Sequence, residues 1–387
     1  MYEEFIQFIR DIYQTDEFIP LHEPRFSGNE KKYVADTIDS TFVSTVGEYV
    51  NRFEHDVAKF TGSKHAIATV NGTSALHVSL LLAGVEAGDE VITQSLSFVA
   101  TCNAIAYCSA KPVFVDVDKS SLGLSADALS EFLHKNAERL DSGSCINKST
   151  GSIIRACIPM HTFGLPVEME KIIAICQQYG ITVVEDAAES MGSYISKTHT
   201  GNFGTAAALS FNGNKIMTCG GGGMILTNDE DKAQKAKHLT TTGRLSHPWK
   251  IEHDCVAYNY RMPNLNAALG CAQLEQLPTM LKAKRELAET YQAWGNKNSL
   301  EFVSEVDNTT SNYWLNAVVC EDVVQRDKFL EVTNNHQVMT RPIWTPMHQL
   351  PMYENCQYDN LENTDWLVDR VVNVPSSIPL NSGGNHA

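Results

Sequence analysis

Residues 66–76 read Ala66-Ile67-Ala68-Thr69-Val70-Asn71-Gly72-Thr73-Ser74-Ala75-Leu76. A short apolar run gives way to a small polar turn, and an apolar segment with helical spacing follows. The spacing predicts a strand over 66–70 and a helix over 74–83, closed by Gly84. The same alternation continues outward. Strand-like runs fall at 90–93, 112–115, 153–158 and 181–184, with helical segments at 99–108 and at 169–178, the latter ending near Gly180. Strands alternating with helices indicate a parallel sheet covered on both faces. Residues 206–211 and 223–227 then follow one another with no helix between them, so the sheet is expected to become mixed there.

The character of the chain changes after Pro263. Two long helices are expected over 265–277 and 280–294, then short strand-like pieces at 315–319 and 337–340. The fold class is therefore α/β, a mostly parallel mixed sheet in a large domain with a smaller C-terminal α+β domain. The expected division is an N-terminal helical extension over 1–16, a large domain over 17–262 and a small domain over 263–387. In the extension Phe5, Phe8, Ile9 and Ile12 share one face, which suits docking on the body or on a second chain.

The chain has 387 residues, more than one compact core comfortably holds. Its net charge is −16, from 30 basic and 46 acidic residues. That balance disfavours broad binding to nucleic acid or anionic membrane, both of which need a positive surface. The 10 cysteines are scattered singly with no CxxC pair, and the 13 histidines show no HxxxH or HExxH spacing. No metal site is expected, and reduced thiols fit a cytoplasmic setting. The start Met1-Tyr2-Glu3-Glu4 lacks the basic, then apolar pattern of a signal peptide, and no run approaches a membrane span. No GxGxxG follows a strand, which argues against a nicotinamide enzyme.

In an open α/β sheet, ligands bind at the carboxyl ends of the strands, so unusual residues there carry the information. The turn Asn71-Gly72-Thr73-Ser74 joins a strand to a helix. Its hydroxyls and the first amides of the helix make it either a phosphate cradle or a plain helix cap. The run Ile181-Thr182-Val183-Val184-Glu185-Asp186-Ala187-Ala188-Glu189 ends a buried strand in acid. Asp186 there can hold a protonated heterocyclic nitrogen, bind a metal or cap the next segment. Ser210-Phe211-Asn212-Gly213-Asn214-Lys215 places a lysine after an apolar strand and before Cys219-Gly220-Gly221-Gly222-Gly223. A lone lysine is usually a solvated charge. Held near apolar walls, the amine loses part of its preference for the charged form, as Schiff-base chemistry requires.

Phosphate turn, acid and lysine occur in that order, and at this point the chain resembles the fold-type-I pyridoxal-phosphate enzymes. More narrowly it resembles the DegT/StrS family of nucleotide-sugar aminotransferases, over nearly the whole chain. Supporting blocks are Gly88-Asp89-Glu90-Val91, Pro112-Val113-Phe114-Val115-Asp116, Glu185-Asp186-Ala187-Ala188 and Asn259-Tyr260-Arg261-Met262. The resemblance implies pyridoxal 5′-phosphate as cofactor and Lys215 as the amine that joins it and later shuttles a proton. It implies Asp186 as the partner of the pyridine nitrogen, Phe98 stacked on one ring face and Ala188 on the other. Gly72, Thr73, Ser74 and Ser210 would hold the phosphate. Asn259 would reach it from the neighbouring subunit of a homodimer with shared active sites. Glu189 would contact the cofactor at a position where many relatives carry Gln or His.

The N-terminal extension, Thr93-Gln94-Ser95-Leu96-Ser97-Phe98, and the stretch from Arg341-Pro342-Ile343-Trp344 to His348 resemble one branch of that family. It transfers an amino group from L-glutamate to carbon 4 of a UDP-linked 4-keto-6-deoxy-(N-acetyl)hexosamine, for surface glycans. An acidic chain needs local bases to receive a nucleotide diphosphate. Arg244, His247 and Lys250 are such a cluster, or else an ordinary solvated loop; Arg341 and His348 serve the substrate or the frame of the small domain. Arg25 and Thr45 lie in segments that line the sugar pocket in relatives. The rival readings are a transferase acting at carbon 3 or on a dTDP- or GDP-sugar, and a non-catalytic regulator. An intact Lys215, Asp186 and Phe98 weigh against the regulator, and Lys215 weighs against the sugar dehydratases, which carry His in its place.

Overall fold

The computed structural model describes residues 1–379. Seven strands form the central sheet: β1 (His65–Thr69), β2 (Glu90–Gln94), β3 (Lys111–Val115), β4 (Ile154–Ile158), β5 (Thr182–Asp186), β6 (Ala206–Ser210) and β7 (Gly223–Thr227). Their spatial order is β1-β7-β6-β5-β4-β2-β3. Only β7 runs antiparallel to its neighbours β1 and β6; the remaining pairs are parallel. The sheet is mixed at the place expected, because β6 reaches β7 through a glycine turn instead of a helix.

Period-2 alternation sends successive residues of each strand into different cores. Ile67 of β1 packs with Leu76 and Leu80 of α4 (Gly72–Leu82) on one face. Its neighbours Ala66 and Ala68 pack on the other with Phe53 of α3 (Glu48–Thr61). Farther along, Ile92, Val113 and Cys157 meet Leu129 and Phe132 of the helix Ala126–Asn136 and Ile172 of the helix Met169–Tyr179. The sheet is covered on both sides, as its apolar strands require.

Beyond Pro263 the two expected helices are one. The helix Asn264–Asn298 runs 35 residues with Pro278 inside it. Proline removes one backbone donor there, but Leu277 and Met280 on either side are buried and hold the helix in place. Its first half packs with Phe53 through Cys271 and Leu277. Its second half, through Leu287 and Tyr291, joins the core of the smaller sheet. A boundary at 262/263 thus meets a helix that serves both bodies.

The small sheet orders Glu301–Phe302, Asn316–Val319, Val371–Val374 and Arg341–Pro342 side by side. The strand expected at 337–340 is displaced to Arg341–Pro342. Gln337 takes a left-handed φ of 60°, and Val338 makes only an isolated bridge to Ile19. The N-terminal helix, Tyr2–Tyr13, docks on the small body of its own chain, with Phe5 and Ile9 buried beside Phe329 and Tyr291. No helix among the described residues is long and apolar enough to cross a membrane.

Candidate active site

The carboxyl ends of β1, β5 and β6 open onto a cavity of about 710 Å³, lined by Gly72, Thr73, Phe98, Asp186, Ala188, Glu189, Ser210 and Lys215. These residues span more than 140 positions of sequence and come together because parallel strands end at one edge.

At one end of the cavity α4 begins. Asn71 caps it, its Oδ1 accepting the Ser74 amide at 2.8 Å. That cap does not use the amides of Gly72 and Thr73, both cavity-lining residues, and a helix start with open amides favours an anion. Gly72 is required by space. A Cβ there would lie 2.9 Å from Cβ of Ser210, and one on Gly223 would meet the Asn71 carbonyl and the Gly72 amide. The turn can therefore sit on β6 and β7 only with glycine at both places. Ser74 acts in the cap and does not line the cavity.

At the other end lies Asp186. Its two oxygens accept from Thr101 Oγ1 at 2.6 Å and from the Ala188 amide at 3.1 Å. Burial holds this carboxyl above its ordinary value, opposed by the Thr101 and Ala188 bonds and by the charge of Lys215. A cationic nitrogen beside it would favour the carboxylate.

Lys215 is enclosed rather than solvated, its side chain 12% exposed. Nζ lies 3.0 Å from Glu189 Oε1 and 3.9 Å from the centroid of the Trp314 ring. Glu189 takes a second bond from the Phe163 amide at 2.9 Å. Burial raises its carboxyl, with Lys215 and the Phe163 amide working against that rise. Phe98 is 48% exposed in the cavity wall, an aromatic face left open to a ligand. Pyridoxal phosphate fits this set: open amides and hydroxyls for a phosphate, an aromatic face for a ring, a buried carboxylate for a ring nitrogen and an enclosed amine for an aldehyde.

Of the residues expected to meet substrate, Arg341 lines the cavity. His348 stands behind the wall, its Nδ1 2.7 Å from Ser95 Oγ. Arg25 donates to the Ile378 carbonyl and pairs with Glu23, away from the lining. Arg244, Lys250 and Asn259 are exposed on this chain, Thr45 and His247 are half-buried, and none of the five lines its cavity. The lining also contains Leu21, Asn212, Trp314 and Trp344, which sequence reasoning missed. Trp314 bonds Asn214 across 100 positions, so no local spacing signals it.

The chain is similar to several known proteins. The chain is 37% identical over 339 residues to a GDP-perosamine synthase of Vibrio cholerae, covering 87% of this chain and 88% of that protein. It is 33% identical to the putative pyridoxal phosphate-dependent aminotransferase EpsN of Bacillus subtilis, over 95% of this chain and 91% of that one. The fold matches the crystal structure of the aminotransferase TlmJ from Streptoalloteichus hindustanus with a TM-score of 0.83 at 27% identity, covering 92% and 93% of the two chains. The model of the DegT/DnrJ/EryC1/StrS aminotransferase family matches residues 24–384. A match of that length takes in both the central sheet and the small body that close the cavity, and the chain belongs to the DegT/DnrJ/EryC1/StrS aminotransferase family.

Proposed function

We propose that this chain is a pyridoxal-phosphate-dependent transferase that moves the amino group of L-glutamate to carbon 4 of a nucleotide-linked 4-keto-6-deoxy sugar. The observation that carries the reading is the enclosure of Lys215 at the same cavity as the buried Asp186 and the open start of α4. When bound, pyridoxal phosphate supplies an aldehyde and an electron-accepting ring. Gly72, Thr73 and Ser210 would hold its phosphate, Phe98 and Ala188 would flank its ring, and Asp186 would keep the proton on its nitrogen. Lys215 Nζ would be the amine that holds the aldehyde, and the base that takes a proton from the donor's carbon and later delivers one to the sugar's carbon. Glutamate leaves as 2-oxoglutarate and the ketone leaves as an amine, two half-reactions at one site with ping-pong kinetics.

A diphosphate needs a cationic contact, and Arg341 provides one within the cavity. The nucleotide expected from the sequence is uridine. The name of the Vibrio cholerae relative favours guanosine instead, so a GDP-linked keto-sugar is the first substrate to test. A second copy of the chain completes the site in this reading. Asn259 follows a loop on which Trp249, Ile251 and Val256 stand 79%, 73% and 89% exposed, apolar surface that suits a partner subunit.

The test is a panel of GDP-, UDP- and dTDP-4-keto-6-deoxy sugars incubated with glutamate, scored for 2-oxoglutarate and for the amino-sugar nucleotide by mass. Turnover of the GDP sugar is expected to exceed that of the others; turnover of none of them refutes the assignment.

A further inference from the structure

Two lysines of this chain are enclosed by protein, and they approach one residue from opposite sides. Lys215 Nζ faces the Trp314 ring at 3.9 Å. Lys284, fully buried in the helix Asn264–Asn298, donates from Nζ to the Trp314 carbonyl at 2.7 Å and to the Ser376 carbonyl. Trp314 in turn donates its indole N–H at 2.7 Å to the carbonyl of Asn214, the residue before Lys215. His22 packs edge-on to Trp314 with ring centroids 6.5 Å apart. Upstream, the Trp314 amide donates to Asn312 Oδ1, and Asn312 Nδ2 donates to the carbonyls of Glu189 and Met191. The Trp314 indole is thus tied to the backbone of the residue before the reacting amine, while the Trp314 backbone is held by Asn312 and by a lysine anchored in the long helix.

We propose that Trp314 is a positioning residue that seats Lys215 and sets how readily its amine gives up a proton, with Lys284 holding that seat in place. The inference rests on the reading of Lys215 as the condensing amine. The face of an indole carries negative charge density and favours an ammonium over a neutral amine. The titratable groups facing Lys215 are Glu189 at 3.0 Å, Asp186, His22 and, across the cavity, Arg341. The two carboxylates favour the ammonium and Arg341 opposes it. Burial pushes the His22 imidazole well below its ordinary value, with the charges of Lys284 and Lys215 acting in the same direction. Burial likewise pushes the Lys284 amine well below its ordinary value. Lys284 meets both carbonyls as a double donor and holds the Trp314 backbone to the long helix.

The experiment follows uptake of pyridoxal phosphate by the cofactor-free, full-length protein, through absorbance near the visible edge across a pH series. Only the unprotonated amine attacks the aldehyde, so the uptake rate rises with pH through the Lys215 titration. Trp314→Leu keeps apolar bulk but removes the negative face and the indole donor. Its uptake midpoint is expected to fall by about one pH unit. Trp314→Phe keeps a weaker face and is expected to shift less. Lys284→Met frees the Trp314 carbonyl while leaving the ring, and a smaller shift in the same direction is expected. Should the leucine variant not fold, the phenylalanine variant carries the test. Midpoints identical to the parent's in the folded Trp314 variants overturn the proposal. Absence of saturable uptake in the parent itself instead overturns the reading of Lys215, so the two failures are distinct.

Discussion

Glu185 and Asp186 are adjacent in β5, both buried, and they lie on opposite faces of the sheet. On the rear face Glu185 is saturated with donors. His161 Nε2 lies 3.2 Å away, and the amides of Gly201, Phe203 and Gly204 donate at 2.7, 2.7 and 2.8 Å. His161 Nδ1 accepts the Val167 amide, so the ring proton sits on Nε2 and is donated to Glu185. Burial would raise this carboxyl, but His161 and the amides hold it below its ordinary value. On the cavity face Asp186 has two neutral donors, burial prevails and its carboxyl is held above. Two acids with the same burial differ in how completely they are satisfied. The rear acid is finished and structural, whereas the front acid is left short of a cationic partner. That shortage marks the functional face.

Substitutions on the two faces sharpen the contrast. The largest effect is expected from Lys215→Ala on the cavity face: turnover falls to background while far-ultraviolet circular dichroism stays native, and appreciable remaining transamination refutes the assigned role. Asp186→Asn is expected to reduce turnover by about 10²–10³-fold, through lost stabilisation of charge at the ring nitrogen. Its effect on stability runs the other way. A carboxyl raised on folding costs nothing below its ordinary value of 3.8; the penalty grows as pH rises from there and is complete above the folded value. At neutral pH the cofactor-free asparagine variant should therefore melt no lower than the parent; a marked fall in melting temperature breaks the contrast. Glu185→Gln behaves in the opposite sense, with the smallest expected effect on chemistry. It sets an amide N–H₂ against donors that need an acceptor, and costs about 2–4 kcal/mol at neutral pH. The parent's stabilisation from this depressed carboxyl is present above its ordinary value of 4.5 and is lost as pH falls through the folded value. Denaturant midpoints of parent and variant should converge on acidification, and a constant gap argues against the cause given.

Local signals carried much of this in advance. The strand-turn-helix at 66–76, the acid at 186 and the lysine at 215 each end or follow an apolar run, and a parallel sheet collects such ends at one edge. Helix continuity through Pro278 was less legible. Proline is a local breaker, while the burial of Leu277 and Met280 that overrides it is a property of packing. The bases chosen for a diphosphate separated according to the same logic. Arg341 entered the cavity because the small sheet swings over it, while Arg25, Arg244, His247 and Lys250 stayed off the lining. Charge in a loop says nothing about which surface the loop faces.

The sequence alone determined the α/β alternation, the mixed end of the sheet at the glycine turn, and the residues at its strand ends, since period-2 and helical patterns and glycine requirements are local. Only the tertiary structure decided that Glu189 and Trp314 enclose Lys215, that Lys284 anchors Trp314 from behind, and that Glu185 is satisfied where Asp186 is not. Those relations join residues as far as 100 positions apart. They exist because parallel strands and one long helix bring distant segments within hydrogen-bonding range, and nothing in a local pattern encodes that distance.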